Sequence, residues 1–167
     1  GWRVDLDGFN AAMEAQKATA RRSWSGSGDD ATENVWLDLG QRLAPTEFLG
    51  YVSDTAEAVV IALLDEKGET AQVDSGAIAR MVVNQTPFYA ESGGQIGDTG
   101  TVEWDGGNAR VINTSKTPSG LFIHHVEVDE GSLSINLAVR LQIEKTRRLR
   151  LCANHSATHL LHEALRR

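Results

Sequence analysis

Between residues 46 and 144 the chain reads as a succession of short β-rich runs, each ended by a glycine-containing turn, and this alternation leaves few folds open. The runs are 47–52, 56–64, 70–74, 79–83, 100–104, 109–114, 121–128 and 137–144. The turn signals between them are Glu66-Lys67-Gly68, Asp74-Ser75-Gly76, Asp105-Gly106-Gly107, Pro118-Ser119-Gly120 and Asp129-Glu130-Gly131. Glycine in such turns accepts the positive φ that tight reversals demand. Many short strands on short turns predict a small antiparallel barrel or sandwich. Closure into a barrel also hides the strand edges that such a chain would otherwise expose.

The flanks follow a different period. Near the start, Asp7 can cap a helix in which Phe9, Met13, Gln16 and Ala20 recur at helical spacing, with Ala11, Ala12, Ala15 and Ala18 raising propensity. Lys17, Arg21 and Arg22 lie toward the end of that helix, where they complement its dipole. The polar stretch 23–34 reads as a loop, and 35–43 as a short helix before Pro45. At the other end, Leu149, Ala153, Ala157, Leu160 and Ala164 form one apolar stripe of a helix starting as early as Thr146. No internal repeat is evident. The expected fold class is therefore α+β, mainly β: a helical linker region over 1–45, a barrel over 46–144, and a helix over 145–167.

Charge narrows the choice of partners. The chain has 16 Lys and Arg against 23 Asp and Glu, a net charge of −7, which argues against a general nucleic-acid coat. Residues 141–167, however, carry six basic and two acidic side chains, so any RNA contact is expected there. The single cysteine, Cys152, excludes an internal disulfide framework and fits a reducing compartment. No apolar run reaches membrane-spanning length and no leader resembles a signal peptide, so a cytoplasmic protein is expected. The opening at Gly1-Trp2 and the stop at Arg167 in mid-helix pattern suggest a fragment.

Three motifs bear on chemistry. In His155-Ser156-Ala157-Thr158-His159 the two histidines share a helical face, with Cβ atoms roughly 6 Å apart, and such a pair can bind one metal ion, zinc being the usual occupant. Ser156 stands where the metalloprotease motif has glutamate. Cys152 and His162 lie near the same stripe. Each stands seven residues from one histidine of the pair, about 10.5 Å along the axis, whereas zinc bonds span only about 2.0–2.3 Å. A complete site needs ligands from elsewhere, and histidines without metal remain the alternative. His124 and His125, adjacent on a strand, point to opposite faces and read as ordinary barrel residues.

The second motif, 86–100, has glycine at 93, 94, 97 and 100, which allows close approach by a backbone or a phosphate. Its spacing fits neither the P-loop nor the dinucleotide fingerprint. The third is Lys145, Arg147, Arg148 and Arg150, four cations at a helix start. They oppose the helix dipole at a small cost that a phosphate would offset; a merely solvated charged face is the competing reading. No Ser-His-Asp signature, paired-carboxylate constellation or nucleotide motif appears, so no catalytic residue is assigned.

Taken together, TPFYAESGGQIGDTG at 86–100, NTSK at 113–116, His124-His125 and NHSATHLLHEALR at 154–166 resemble the bacterial alanyl-tRNA synthetase family. TEFLGY at 46–51 and VDLDGFNAAMEAQKATAR at 4–21 look like the region after that family's aminoacylation and tRNA-recognition parts. The resemblance implies a parent enzyme that ligates alanine to tRNA(Ala) with ATP and Mg in an upstream domain, and that hydrolyses misattached serine or glycine in an editing domain. It implies that His155 and His159 hold zinc with a later Cys-x-x-x-His pair. It also implies that the barrel is similar to the second domain of translation elongation factors, and that Gly93, Gly94, Gln95, Gly97 and Asp98 belong to the editing site or to tRNA placement. On this reading residues 145–167 begin a truncated editing domain, the partners are tRNA(Ala) and the remaining synthetase domains, no membrane is involved, and the chain alone is inactive. A free-standing editing hydrolase shares the barrel and the histidine motif, but such proteins typically begin near the FYAESGGQ-like stretch, whereas 85 residues precede Thr86 here. A non-catalytic connecting module is the reading from another class.

Overall fold

The computed structural model describes residues 30–92 and 96–165, without the side chains of 30–33, 155 and 158–163. The chain divides into two compact units, Gly1–Asn34 and Val35–Arg167. Of the first unit only residues 30–34 are described; they are helical, and the helix expected to follow Asp7 lies outside the described residues.

The described chain runs α1 (Asp30–Arg42), β1 (Glu47–Phe48), β2 (Thr55–Asp65), β3 (Gly68–Glu69), β4 (Gln72–Asp74), β5 (Ile78–Val83), β6 (Gln85–Thr86), β7 (Gly100–Trp104), β8 (Gly107–Lys116), β9 (Phe122–Glu130), β10 (Ser132–Ser134), β11 (Ala138–Ile143) and α2 (Lys145–Leu165). Helix α1 starts at Asp30 rather than at 35, so the reading of 30–34 as loop was wrong. Polar composition suggested the loop, yet alanine and glutamate, at 31 and 33, are residue types with good helix propensity.

Six strands close a barrel in the order β11, β7, β8, β9, β5, β2, with β11 pairing back onto β2, and every neighbour is antiparallel. Closure leaves none of these six as a free edge. Alternation along each strand sends one set of side chains inward. The core accordingly gathers Val60, Met81, Val102, Val111, Val126, Val128, Val139 and Leu141, all buried. A second, smaller cluster forms outside the barrel, where Leu39 of α1 packs on Ala62, Leu64, Val82 and Leu121. Burying such a leucine stabilises the docked helix by roughly 1.5–3 kcal/mol.

The run at 47–52 supplies only the two residues of β1, paired in parallel with β6. The run at 70–74 supplies only β4, its last three residues, while β3 begins on the glycine of the preceding turn signal, and β10 was not foreseen. Each of the five turn signals does contain a glycine with positive φ, at 68, 76, 106, 120 and 131.

One backbone pattern occurs twice, although no repeat is visible in the sequence. The turn between β4 and β5 binds β9, with the Gly76 N–H donating to Val128 O and the Val128 N–H to Ala77 O. The turn between β10 and β11 binds β2 in the same way, through Asn136 to Val60 and Val60 to Leu137. β4 and β10 then pair, with Val73 opposite Leu133. Asn136 takes the left-handed conformation (φ 67°) that glycine takes at Gly76. Asparagine tolerates that region well, so two dissimilar residues serve one geometric need.

Candidate functional site

The glycine-rich segment begins where β6 ends and is anchored from below. Phe88 is fully buried among the barrel residues and stands edge-on to the His124 ring, with centroids 5.3 Å apart. The His124 Nδ1–H donates to Met81 O (3.2 Å), because a carbonyl can only accept. That leaves Nε2 as the acceptor of the Thr86 hydroxyl (2.8 Å), whose oxygen in turn accepts the Phe88 N–H (3.1 Å). Burial is the main reason that the His124 pKa falls to about 4, so near neutral pH the ring is uncharged and satisfied at both nitrogens. His125, on the opposite side of the strand, is half-buried and touches Ser115. Its pKa is also lowered, first by burial and then by Arg80.

Above Phe88 the loop has a closed neck. The Asp98 N–H donates to Tyr89 O (2.9 Å), and the Tyr89 N–H donates to Asp98 Oδ2 (2.8 Å). The Thr114 hydroxyl on β8 donates to Asp98 O, and Thr114 O accepts the Glu91 N–H. Gly97 is buried against this strand, and a Cβ there would collide with Thr114 O and Asn113 Oδ1. A Gly97→Ala variant should therefore push the loop off β8 at a cost of about 1–3 kcal/mol. Hydrogen exchange at the Asp98 and Glu91 amides is expected to accelerate more than tenfold while β9 amides keep their protection. Unchanged exchange at both would show that the strand yields without cost. Of the other loop residues singled out from the sequence, Gly93, Gly94 and Gln95 lie outside the described residues.

Helix α2 leaves β11 directly beside this neck. The Glu144 N–H donates to Thr99 O (2.8 Å). Lys145 Nζ pairs with Asp54 at 2.7 Å, and Arg147 Nη1 donates to Gly97 O at 2.8 Å. Arg148 is enclosed, its side chain 14% exposed and that of its partner Asp98 2%. Its Nε (2.9 Å) and Nη2 donate to Asp98 Oδ2, Nη1 donates to Gly50 O (2.9 Å) and Nη2 donates to Pro87 O (2.5 Å). Four hydrogen bonds use most of the five N–H groups a guanidinium has. Arg150 is exposed. The dipole penalty of clustered cations is thus offset within the protein by Asp54, Asp98 and three carbonyls. Asp98 and Pro87 lie in a motif read from the sequence, but their pairing with Arg148 had no signal there: Gly50, Pro87 and Asp98 lie 98, 61 and 50 residues from it.

Positions 155 and 159 both fall on α2, four residues apart, and their side chains lie outside the described ones. Among the described residues no group of three or more His, Cys, Asp or Glu is arranged to hold a metal, and Cys152 is exposed. The apolar stripe of α2 is exposed at Leu149 (62%), Ala153, Ala157 and Ala164. An aromatic group faces the same end of the barrel. Phe48 stacks on Phe122 and meets Tyr51 and Tyr89 edge-on, Lys116 lies over the Phe122 ring, and Tyr51 is 87% exposed. No helix among the described residues is long and apolar enough to cross a membrane.

Residues 1–147 match the family model described as tRNA synthetases class II (A). An alanine–tRNA ligase of Chelativorans sp. (strain BNC1) is 51% identical over 166 residues, which is 99% of this chain and 19% of that protein. Those of Sinorhizobium medicae (strain WSM419) and Rhizobium meliloti (strain 1021) are 49% and 48% identical over the same shares. The chain thus spans 19% of the length of these curated relatives.

Proposed function

The chain belongs to the class II (A) tRNA synthetase family, and on that premise we propose that it is the section of an alanine–tRNA ligase that joins a connecting barrel to the first helix of an editing domain. The parent ligates alanine to tRNA(Ala) with ATP and Mg elsewhere in its length, and here it contributes to hydrolysis of Ser- and Gly-tRNA(Ala). The observation that carries this reading is the meeting of two motifs 50 residues apart. Arg147 and Arg148, at the root of the helix bearing His155 and His159, bond Gly97 and Asp98 of the glycine-rich loop. A mischarged tRNA end held by that loop would lie close to the root of the histidine-bearing helix.

The donor set fits half of a zinc site. Two histidines at i and i+4 on one helix match the spacing that a tetrahedral ion needs from one element, and the family resemblance supplies the other two ligands as a later Cys-x-x-x-His pair. When bound, zinc supplies a positive charge that helps to orient the ester of the mischarged tRNA. The chain's own residues shape the surroundings. Gly97, pinned on β8, sets the loop's height, while Tyr89 and Asp98 hold its neck. Arg150, exposed near the helix root, is suited to meet a phosphate. The work is done in the reducing interior of the cell, the compartment that suits a lone exposed Cys152.

The full-length ligase carrying this chain should deacylate Ser-tRNA(Ala), and His155→Ala or His159→Ala should lower both its zinc content and that activity more than tenfold. The 167-residue chain by itself should retain little zinc after desalting and release negligible serine. Robust hydrolysis by the isolated chain, or full activity and zinc content in the His155→Ala ligase, would overturn the reading.

A further inference from the structure

Resting on the editing role proposed above, we infer that the buried Asp98–Arg148 pair is a positioning device. It locks the root of α2 to the neck of the glycine-rich loop and so fixes where positions 155 and 159 stand relative to that loop. A buried ion pair is poor evidence for stability as such, because an apolar replacement of the same volume is often as stable. In some proteins such a pair instead fixes a register, because each charge is satisfied only in a narrow range of geometries. Here one guanidinium reaches three segments that are distant in sequence: the loop at Gly50, the start of the motif at Pro87 and the neck at Asp98. The guanidinium spreads its donors over three nitrogens in a fixed fork and so reaches these acceptors from different sides, whereas the three donors of a lysine ammonium radiate from one point.

Helix geometry converts this anchor into a pointer. Position 155 lies seven residues beyond Arg148, about 10.5 Å along the axis and about 20° short of two full turns. Position 159 lies eleven residues beyond it, about 16.5 Å along and about 20° past three turns. The anchor and both histidine positions therefore share one face of α2. Beyond the anchor the helix is exposed at Leu149, Cys152, Ala153 and Ala157, so its direction is set largely at its root. A tilt of about 10° there would carry position 155 by about 1.8 Å and position 159 by about 2.9 Å. A misplacement on the order of 1 Å at a reacting centre can cost about 100-fold in rate. Arg148 thus acts through the histidine-bearing helix and not on substrate.

Two measurements test this. In the 167-residue chain, Cys152 is the only cysteine, and a second label site can be added at the exposed position 103 of β7 by Glu103→Cys. Electron spin–spin distances between the two labels should be narrowly distributed in the parent chain, and broadened or shifted by Arg148→Gln or Asp98→Asn. The double variant, which restores a neutral hydrogen-bonding pair, should recover part of the sharpness. In the full-length ligase, Arg148→Gln should lower kcat for Ser-tRNA(Ala) deacylation by 10- to 100-fold and change KM less than twofold. An unchanged distance distribution overturns the proposal, as does a broadened one with undiminished kcat. A rise in KM alone would make Arg148 a phosphate contact instead. Should the parent ligase fail to deacylate Ser-tRNA(Ala), the editing role falls, while the label distances still decide whether the pair fixes the helix.

Discussion

Truncating Phe88 to alanine is expected to cost the barrel on the order of 3–5 kcal/mol, the range for removing a buried aromatic side chain from a packed core. Phe88 is fully buried, belongs to the main core and supports the His124 ring edge-on. Its loss leaves a cavity beneath the glycine-rich loop that neighbouring β-branched residues such as Val83, held in paired strands, cannot collapse to fill. Urea unfolding of the 167-residue chain should show the midpoint falling with little change in slope. A cost below about 1 kcal/mol would mean that the core relaxes around the gap and that Phe88 is not a structural plug. Phe88→Leu, which keeps much of the volume, should recover most of the stability.

The second large effect concerns acid. In the folded chain the His124 pKa is lowered to about 4, chiefly by burial and in part by His125, against the donated hydrogen bond to Met81 O. The unfolded chain takes up the proton near its ordinary value of about 6.5, so between these two values it binds more protons than the folded one. Stability conferred by the neutral ring is therefore complete above pH 6.5 and is lost as pH falls toward 4. The loss from this group is about 3 kcal/mol, from a difference of about 2.5 units at 1.36 kcal/mol each. His125, lowered in the same direction, adds to it. Unfolding free energy followed from pH 7.5 to 4 should fall by about that much more in the parent chain than in a His124→Gln variant. The variant will be less stable at pH 7.5 but flatter with pH. Parallel curves would show that His124 does not titrate in this window. Because His124 holds Thr86 and touches Phe88, the loop above should loosen over the same interval, visible as faster exchange at the Asp98 amide.

Both predictions concern residues that stand out in the sequence for another reason. Thr86, Phe88 and His124 fall within the motifs that carry the family resemblance, and their visible role in the fold is to build a floor. The glycine-rich segment above them takes its shape from Gly97 on Thr114 and from the Tyr89–Asp98 neck, while its own glycines at 93 and 94 lie outside the described residues. A motif can thus be specific to a family because much of it supports the site from beneath.

The limits of legibility follow chain separation. The strands at 79–83, 100–104 and 109–114 and the five glycine turns were readable because each is encoded within a few residues, by period-2 alternation and by positive-φ demand. The His-x-x-x-His spacing was readable for the same reason, since four residues of helix return to the same face. β10 was missed because three residues, Ser132–Ser134, carry too short a pattern. The doubled turn was missed because Gly76 and Asn136 meet the same left-handed requirement with different side chains.

What the sequence determined by itself was local: where the six barrel strands run, where they turn, which end is helical and basic, and that two histidines share a helix face. What only the tertiary structure decided was partnership. Closure of β11 onto β2 brings Gly50, Pro87 and Asp98 around Arg148, and it seals His124 between Thr86, Met81 and Phe88. A cation or an imidazole in a sequence shows only its chemistry. Whether it meets solvent, phosphate or a buried carboxylate depends on segments 38 to 98 residues away, and only the closed barrel brings those together.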